Sequence, residues 1–146
     1  MTQVATGSSL TDAAARLRMA IVRTARRLRQ EAAGEVGGLT PTAAAALATI
    51  ERHGPLTPSE LAEVERVKRP TATRTLRALS EAGLVERTPD PEDGRSAVVS
   101  ITATGRERLR RLRGRKNAYL ARRMRDLPAE DLATLDRAAE ILERML

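Results

Sequence analysis

The sequence predicts a mainly α-helical fold that carries one small β-hairpin. Apolar residues recur at helical spacing along most of the 146-residue chain. Two short strand-like runs, Leu84–Thr88 and Ala97–Ile101, flank a loop that contains the turn dipeptide Asp93-Gly94. A chain of this length forms one domain, or one domain with additional helices.

The composition favours a nucleic-acid partner. The formal net charge is +7 and the sequence pI is about 11.2, and a domain this basic attracts polyanions. Only Lys68 and Lys116 are lysines, so 26 − 2 = 24 of the basic residues are Arg. Arg can bind phosphate and guanine through two parallel hydrogen bonds, which suits DNA recognition. A genome that encodes Arg and Ala in preference to Lys explains the Arg excess equally well.

The chain lacks the residues that several kinds of chemistry require. It has no Cys, and His53 is its one His, which excludes disulfides, thiolate metal sites, two-His metal motifs and a Ser-His triad. No Gly-rich phosphate loop is visible in the sequence. We therefore expect no enzyme activity, no cofactor and no metal. The sequence also shows neither a secretory signal nor a membrane-spanning run, which predicts a cytoplasmic protein without a membrane partner.

The first helix is predicted over Thr11–Ala33. Its apolar face holds four residues at helical spacing: Leu10, Leu17, Ile21 and Leu28. Three glycines are expected to end it: Gly34, Gly37 and Gly38. Because this face is narrow, it is typical of a seam against another helix and not of a globular core face.

Two short helices with clear start signals follow. Thr40-Pro41 combines an N-cap residue with Pro at the first helical position. Thr57 and Glu60 lie three residues apart and predict a capping box at the start of the third helix. We expect the third helix to bury Leu61 and Val64.

The fourth helix, which begins near Arg69-Pro70, has the two-faced pattern of a helix that enters the major groove. One face is apolar or small: Ala72, Leu76, Leu79 and Gly83. The opposite face is mostly basic or small: Pro70, Arg74, Arg77 and Glu81, flanked by Thr71, Thr73 and Ala78. An ordinary solvated face is the alternative. It is disfavoured because residues 66–77 contain five basic residues and no acid.

The hairpin after the fourth helix is predicted to form a basic wing. Arg95 lies beside its tip, and an Arg on a projecting hairpin can enter the narrow, electronegative minor groove. Asp90 and Asp93 are expected to stabilise the wing by ion pairing with Arg95 or with other Arg residues nearby.

Two further helices complete the chain. Thr102 is predicted to cap a fifth helix that runs to about Arg125, and Leu127-Pro128 separates it from the sixth. The fifth helix has apolar positions at Leu109, Leu112, Tyr119 or Leu120, and Met124. The sixth has near-heptad apolar positions at Leu132, Leu135, Ala139, Leu142 and Leu146.

The terminal helices are predicted to dimerise. Packing within one chain is the alternative, but residues 40–101 already supply a small core of their own, which leaves the terminal apolar seams unused. The predicted organisation is an N-terminal dimerisation helix (1–39), a DNA-binding region (40–102) and C-terminal dimerisation helices (103–146), all within one compact domain.

The order of elements and four short motifs resemble the MarR family of bacterial winged helix-turn-helix regulators. The motifs are, in order, Pro70–Arg74, Leu79–Val85, Asp90–Arg95 and Thr102–Gly105. All four occur in order at this spacing, and the match covers nearly the whole chain. The resemblance implies a winged helix-turn-helix domain flanked by long dimerisation helices.

The resemblance also implies partners. Members of this family are typically homodimers that bind pseudo-palindromic operators in double-stranded DNA, and many release DNA on sensing a small aromatic compound or an oxidant. The absence of Cys excludes the oxidant-sensing branch. Since Tyr119 is the sole aromatic residue, no aromatic cage is available, and the identity of a small-molecule effector stays open.

The residues expected to contact DNA lie on the fourth helix, at its entrance and on the wing: Lys68, Arg69, Pro70, Thr71, Thr73, Arg74, Arg77 and Arg95. Of these, the resemblance implies Thr71, Thr73, Arg74 and Arg77 at the major groove and Arg95 at the minor groove. Lys68-Arg69 replaces the small polar cap that is usual before this helix, and we expect it to contact phosphates. Glu92 stands where the family's wing often carries a further Arg, which predicts fewer wing contacts.

A dimeric, sequence-specific transcriptional regulator, more specifically a repressor, is the predicted function. A sequence-tolerant architectural DNA-binding protein is the alternative, and strong competition by random DNA would favour it. A helical module that binds an acidic protein partner is a third class, which a nucleic-acid binding test separates from the other two.

Overall fold

The computed structural model describes residues 6–33 and 38–146 of the chain. The elements are α1 (Thr6–Ala32), α2 (Pro41–His53), α3 (Pro58–Glu65), α4 (Arg69–Glu81), β1 (Val85–Pro89), β2 (Ala97–Ile101), α5 (Ala103–Met124) and α6 (Ala129–Met145). This order confirms the predicted mainly helical fold with one hairpin, although α1 begins five residues earlier than predicted. Gly34 and Gly37, which were expected to end α1, lie outside the described residues.

The chain divides into two compact units. One combines Met1–Glu31 with Arg115–Leu146, and the other spans Ala32–Gly114. The first half of α5 therefore belongs to the second unit. The reason is visible at Leu109, which is buried in the core of that unit.

The core of the Ala32–Gly114 unit is built from one face of each of its helices and from the base of the hairpin. Its buried members are Ala43, Ala46, Leu47, Ile50, Leu56, Leu61, Ala62, Ala72, Leu76, Leu79, Leu84, Val85, Val99 and Leu109. Three of the four residues predicted for the apolar face of α4 are among them. Because that face is buried, the opposite face of α4 is directed to solvent.

Side-chain caps start α2 and α3 as the sequence predicts. The hydroxyl of Thr40 accepts a hydrogen bond from the backbone N–H of Ala43 at 3.1 Å. The hydroxyl of Thr57 accepts from the N–H of Glu60 at 3.2 Å, and the Glu60 carboxylate accepts from the N–H of Thr57 at 3.0 Å. The capping box is therefore complete, and it fixes where α3 begins.

One predicted core residue of α3 is wrong. Val64 is 50% exposed, and Ala62 is buried beside Leu61 in its place. At 100° per residue, Leu61, Ala62 and the half-buried Glu65 share one face of α3, and Val64 lies well outside that arc. In a helix of eight residues, spacing alone did not define which side faces the core.

Gly83 also differs from its prediction, because it lies beyond the end of α4. Its φ is 73°, in the left-handed region that glycine adopts without steric cost. The N–H of Leu84 donates to the carbonyl oxygen of Leu79 at 2.9 Å, and the N–H of Gly83 donates to Ser80 at 3.0 Å, which together form a Schellman motif. Leu84 thereby occupies the core position that periodicity assigned to Gly83.

Two residues between α3 and α4, Arg66 and Lys68, are unusual for the backbone positions that they occupy. Arg66 has φ 52° and ψ 44°, and among the described residues it is the one non-glycine residue with positive φ. Such a conformation costs on the order of 1 kcal/mol for a residue with a Cβ atom. Lys68 stands at the N-cap of α4 and makes no side-chain cap hydrogen bond.

The hairpin forms an antiparallel wing whose base is attached to the helical core. Val85 pairs with Ile101, and Pro89 pairs with Ala97. On the other side of β2, Val99 exchanges two backbone hydrogen bonds with Leu56, of 3.1 and 2.7 Å. The buried Val99 side chain adds a core contact at the same position.

In the other unit, a side-chain cluster links α1 to the second half of α5. The Nε of Arg27 donates a hydrogen bond to the Tyr119 hydroxyl at 3.2 Å. The guanidinium carbons of Arg27 and Arg122 lie 5.5 and 5.9 Å from the centre of the Tyr119 ring. The hydrogen bond to Tyr119, followed by the electrostatic attraction of Tyr119 and Glu31, raises the pKa of Arg27, so this cation stays charged at any working pH.

The same unit presents apolar side chains to solvent. Leu10 is 70% exposed, Leu17 42%, Ile21 44% and Leu135 45%. Every residue of α6 is at least partly exposed. Over residues 6–33 and 38–146, the helices are too short or too polar for any of them to cross a membrane.

Candidate nucleic-acid interface

The outward face of α4 forms a concave basic surface. Five of the predicted DNA-facing residues line it together: Arg69, Pro70, Thr73, Arg74 and Arg77. Arg74 and Arg77 are exposed, and within the described part of the chain neither guanidinium has a hydrogen-bond or ion-pair partner. Both are therefore available to phosphates or base edges.

The shape of this surface follows from its small residues. Pro70 and Thr73 lie between the longer Arg side chains, so the helix backbone can approach the floor of a DNA groove without a bulky apolar side chain in the way. Thr71 is half-buried and its carbonyl oxygen accepts a hydrogen bond from the Thr75 hydroxyl at 2.9 Å. The structure thus places Thr71 at the edge of the surface and not on its floor.

The charge of this region is uniformly positive. From Arg66 to Arg77 there are five basic residues, and the next acid along the chain is Glu81. Lys68 and Arg69 are exposed at the entrance of α4. Because these charges share one sign within a short span, their potentials add, which attracts an extended polyanion.

The wing tip is shaped by its two aspartates through backbone hydrogen bonds. The Asp93 carboxylate accepts from the backbone N–H of Arg95 at 3.0 Å, and the Asp90 carboxylate accepts from that of Glu92 at 3.0 Å. The N–H of Asp90 donates to the carbonyl oxygen of Ser96 at 2.9 Å, which closes the loop. The Arg95 side chain is exposed, and among the described residues no ion pair joins it to either aspartate.

Contacts distant in sequence hold the helices around α4. The Arg113 guanidinium of α5 pairs with the Glu51 carboxylate of α2 at 2.8 Å, and the Thr49 hydroxyl donates to the Glu65 carboxylate between α2 and α3. Sequence reasoning missed both, since the partners stand 62 and 16 residues apart and no periodicity connects them.

One basic residue near the surface was also outside the predicted contacts. Arg66 precedes α4, so the helical pattern that selected Arg74 and Arg77 does not include it. The available signal was the presence of three cations within four residues, Arg66, Lys68 and Arg69.

A helix with an exposed basic face, preceded by a short helix and followed by a β-hairpin that carries Arg95 at its tip, defines a winged helix-turn-helix protein with a DNA-binding fold. Comparison with known proteins agrees. The MarR family model matches residues 39–97. An uncharacterised HTH-type transcriptional regulator of Mycobacterium leprae is 32% identical over 130 residues, which cover 89% of this chain and 90% of that protein. The HTH-type transcriptional repressor MdtR of Bacillus subtilis is 31% identical, with coverage of 75% and 76%.

The fold comparison extends over almost the whole chain. A Pseudomonas aeruginosa protein of known crystal structure superposes with a TM-score of 0.83 at 33% identity, over 96% of both chains. The chain belongs to the MarR family of transcriptional regulators.

Proposed function

We propose that the protein is a homodimeric repressor that binds a pseudo-palindromic operator through α4 and the wing of each copy. The observation that carries this proposal is the concave surface of α4, where Arg74 and Arg77 are exposed without a partner among the described residues. An Arg that only solubilises a surface is usually interspersed with acids, and here the nearest acid on the helix is Glu81.

Each group of residues has its own task in the proposal. Arg74 and Arg77 read base edges in the major groove, where Arg binds the O6 and N7 atoms of guanine. Thr73 and Thr71 lie beside this contact, and Pro70 presents no bulky side chain that would hold the helix away from the groove. Lys68 and Arg69 neutralise phosphates at the groove edge. Arg95 extends into the adjacent minor groove, whose negative potential increases as it narrows.

The homodimer is supported by the apolar side chains of α1 and α6. Leu10, Leu17, Ile21 and Leu135 are 42–70% exposed in the single chain. Burial of apolar surface contributes roughly 25 cal/mol per Å², so covering two such helices by a second copy is strongly favourable. A two-fold dimer presents two copies of α4, and the operator half-sites would then lie about one helical turn of DNA, or a multiple of it, apart.

Repression is supported by the regulator's relatives. MdtR is named a transcriptional repressor, and a dimer that occupies two adjacent turns of a promoter excludes polymerase by its bulk. The architectural alternative is favoured by the Arg content of the whole chain, because general basic charge binds any duplex.

The proposal is tested by recovering the fragments of the source genome that the protein retains and titrating them against scrambled duplexes of equal length at 150 mM salt. We expect a shared inverted repeat and an affinity at least about 10³ times higher than for scrambled DNA. Equal affinity for both duplexes would establish the architectural alternative instead.

A further inference from the structure

At two positions of the segment from Arg66 to Arg69, the residue type is one that the local backbone structure disfavours. Arg66 occupies a left-handed conformation with φ 52°, which is the conformation that favours Gly. The hydrogen bonds around it are those of a regular helix end: the N–H of Arg66 donates to Glu63 at 3.2 Å and the N–H of Val67 donates to Ala62 at 3.0 Å. Gly would therefore satisfy this backbone without strain.

Lys68 is the second such residue. It stands at the N-cap of α4, where Ser, Thr, Asp or Asn satisfies a free backbone N–H, and its side chain makes no such bond. The starts of α2, α3 and α5 all use a threonine hydroxyl for this purpose, from Thr40, Thr57 and Thr102. The omission at α4 is specific to this one helix of the unit.

At both positions a cation stands where the fold would be better served by another residue. Arg66 and Lys68 are exposed, and among the described residues neither side chain has a hydrogen-bond or ion-pair partner. Between them Val67 packs against the core, so the backbone that carries the two cations is held in place. Positions that break local rules without a structural gain are where function is to be sought.

We infer that Arg66 is a further DNA contact and that it acts with Lys68 as a phosphodiester clamp at the entrance of α4. The inference rests on the proposed function, which already assigns phosphate contacts to Lys68 and which it extends to Arg66, outside the concave surface. Arg69 lines that surface and directly follows Lys68, so the clamp continues the basic surface beyond its edge. Its contacts are to the backbone of DNA, because neither residue lies on the face of α4 that carries Arg74 and Arg77.

A phosphodiester contact has a distinct experimental signature. Each phosphate that is neutralised releases condensed counterions, so the slope of log K against log salt changes by about 0.9 per contact. The effect is independent of sequence, because the phosphate carries no base information. Because Arg66 is strained, its replacement by Gly should raise the stability of the fold and at the same time weaken DNA binding.

The test compares Arg66→Gly with wild type by thermal unfolding and by titration against the operator and a scrambled duplex over 50–300 mM salt. We expect Tm to rise by about 2–4 °C. Affinity for both duplexes should fall by the same factor, about tenfold, and the salt slope should fall by about two for a dimer with two half-sites. Arg66→Lys should retain most of the affinity.

Arg52→Gln is the matched control, since Arg52 is an exposed cation in the last turn of α2 and its replacement removes the same charge. We expect its salt slope to stay within error of wild type. An equal loss in Arg52→Gln, unchanged binding by Arg66→Gly, or a loss confined to the operator would each overturn the clamp. Absence of DNA binding by the wild-type protein would instead refute the proposed function itself.

Discussion

The hydroxyl of Thr102 donates a hydrogen bond of 2.7 Å to the carbonyl oxygen of Gly83 and so joins the start of α5 to the end of α4. The same hydroxyl accepts from the backbone N–H of Gly105 at 3.0 Å, which caps α5. The N–H of Thr102 donates to Leu84 at 3.1 Å. One residue therefore holds the end of α4 against the start of α5 within the Ala32–Gly114 unit.

Replacing Thr102 with Val should destabilise the protein. The change keeps the side-chain volume but removes the α5 cap and the bond to Gly83, which together contribute about 1–2 kcal/mol. Thr104→Val is the matched control, because Thr104 lies exposed in the first turn of the same helix, and we expect less than about 0.5 kcal/mol there. Chemical unfolding measures both. Equal losses in the two variants would show that the Thr102 hydroxyl contributes no stability.

The two glycines of α5 should respond in opposite directions to Ala. A Cβ atom at Gly105 would overlap the carbonyl oxygen of Leu84 and lie 2.7 Å from Cγ1 of Ile101, whereas a Cβ at Gly114 would meet nothing within 4 Å. Gly105→Ala should lower the free energy of unfolding by about 2 kcal/mol or more. Gly114→Ala should raise it by about 0.5–1 kcal/mol, since Ala is the better helix former. A stable Gly105→Ala variant would contradict the close packing of α5 on the α4–β1 connection.

Arg74 and Arg69 should contribute differently to DNA binding. Arg74 lies on the concave outward surface of α4, where we propose that it contacts base edges. Arg74→Ala should therefore weaken operator binding by about 1–3 kcal/mol per lost bidentate contact, and binding to scrambled DNA much less. Arg69→Ala should weaken binding to both duplexes similarly and lower the salt slope by about one per half-site. Titrations of both variants at several salt concentrations make the comparison. If Arg74→Ala loses the same factor on both duplexes, Arg74 does not read bases.

Arg95→Ala should weaken binding through the wing alone. The Arg95 side chain is exposed and its backbone N–H remains bonded to Asp93 whatever the side chain, so the turn should survive the change. We expect a loss of about 1–3 kcal/mol per half-site and a weaker preference for A·T-rich flanks with a narrow minor groove. Operators that differ only in their flanks measure this. Identical flank preferences in the two proteins would remove Arg95 from the minor groove.

Leu135→Glu should convert the dimer into a monomer. Leu135 is 45% exposed on α6, and a buried, unpaired carboxylate in a dimer interface costs several kcal/mol. Ala133→Glu is the control, because Ala133 is exposed and lies some 150° around the helix from the centre of the Leu132–Leu146 seam. Sedimentation at micromolar concentration distinguishes the two. Monomeric wild-type protein at that concentration would refute the dimer outright.

The sequence was sufficient to predict the features in which a side chain acts on its near neighbours along the chain. The caps at Thr40, Thr57 and Thr102 and the turn at Asp93-Gly94 all follow from hydrogen bonds within a few residues. Periodicity also selected the buried face of α4, because a 13-residue helix gives three turns over which the pattern repeats. The exposed Arg74 and Arg77 then followed as the opposite face.

The errors fall where local patterns compete with tertiary packing. Val64 matched a helical spacing, but the orientation of α3 is set by its contacts with α2 and α4 and by the Thr49–Glu65 hydrogen bond. Gly83 matched the face of α4 in register, yet its left-handed conformation ends the helix there. The strained conformation of Arg66 could not be predicted from the sequence. Arg disfavours a positive φ, and nothing in its side chain indicates that it adopts one here.

The pairing of Leu56 with Val99 anchors the base of the wing to the connection between α2 and α3, so a rotation at this pair moves the tip of the wing most. Arg95 precedes Val99 by four residues, which corresponds to at most roughly 13 Å of extended chain. A rotation of about 10° at this pivot would displace the tip by roughly 2 Å, enough to break a hydrogen bond to DNA. The direction of the wing therefore depends in part on the connection between α2 and α3, and we expect a shift of Leu56 to displace Arg95 further than it displaces Val99.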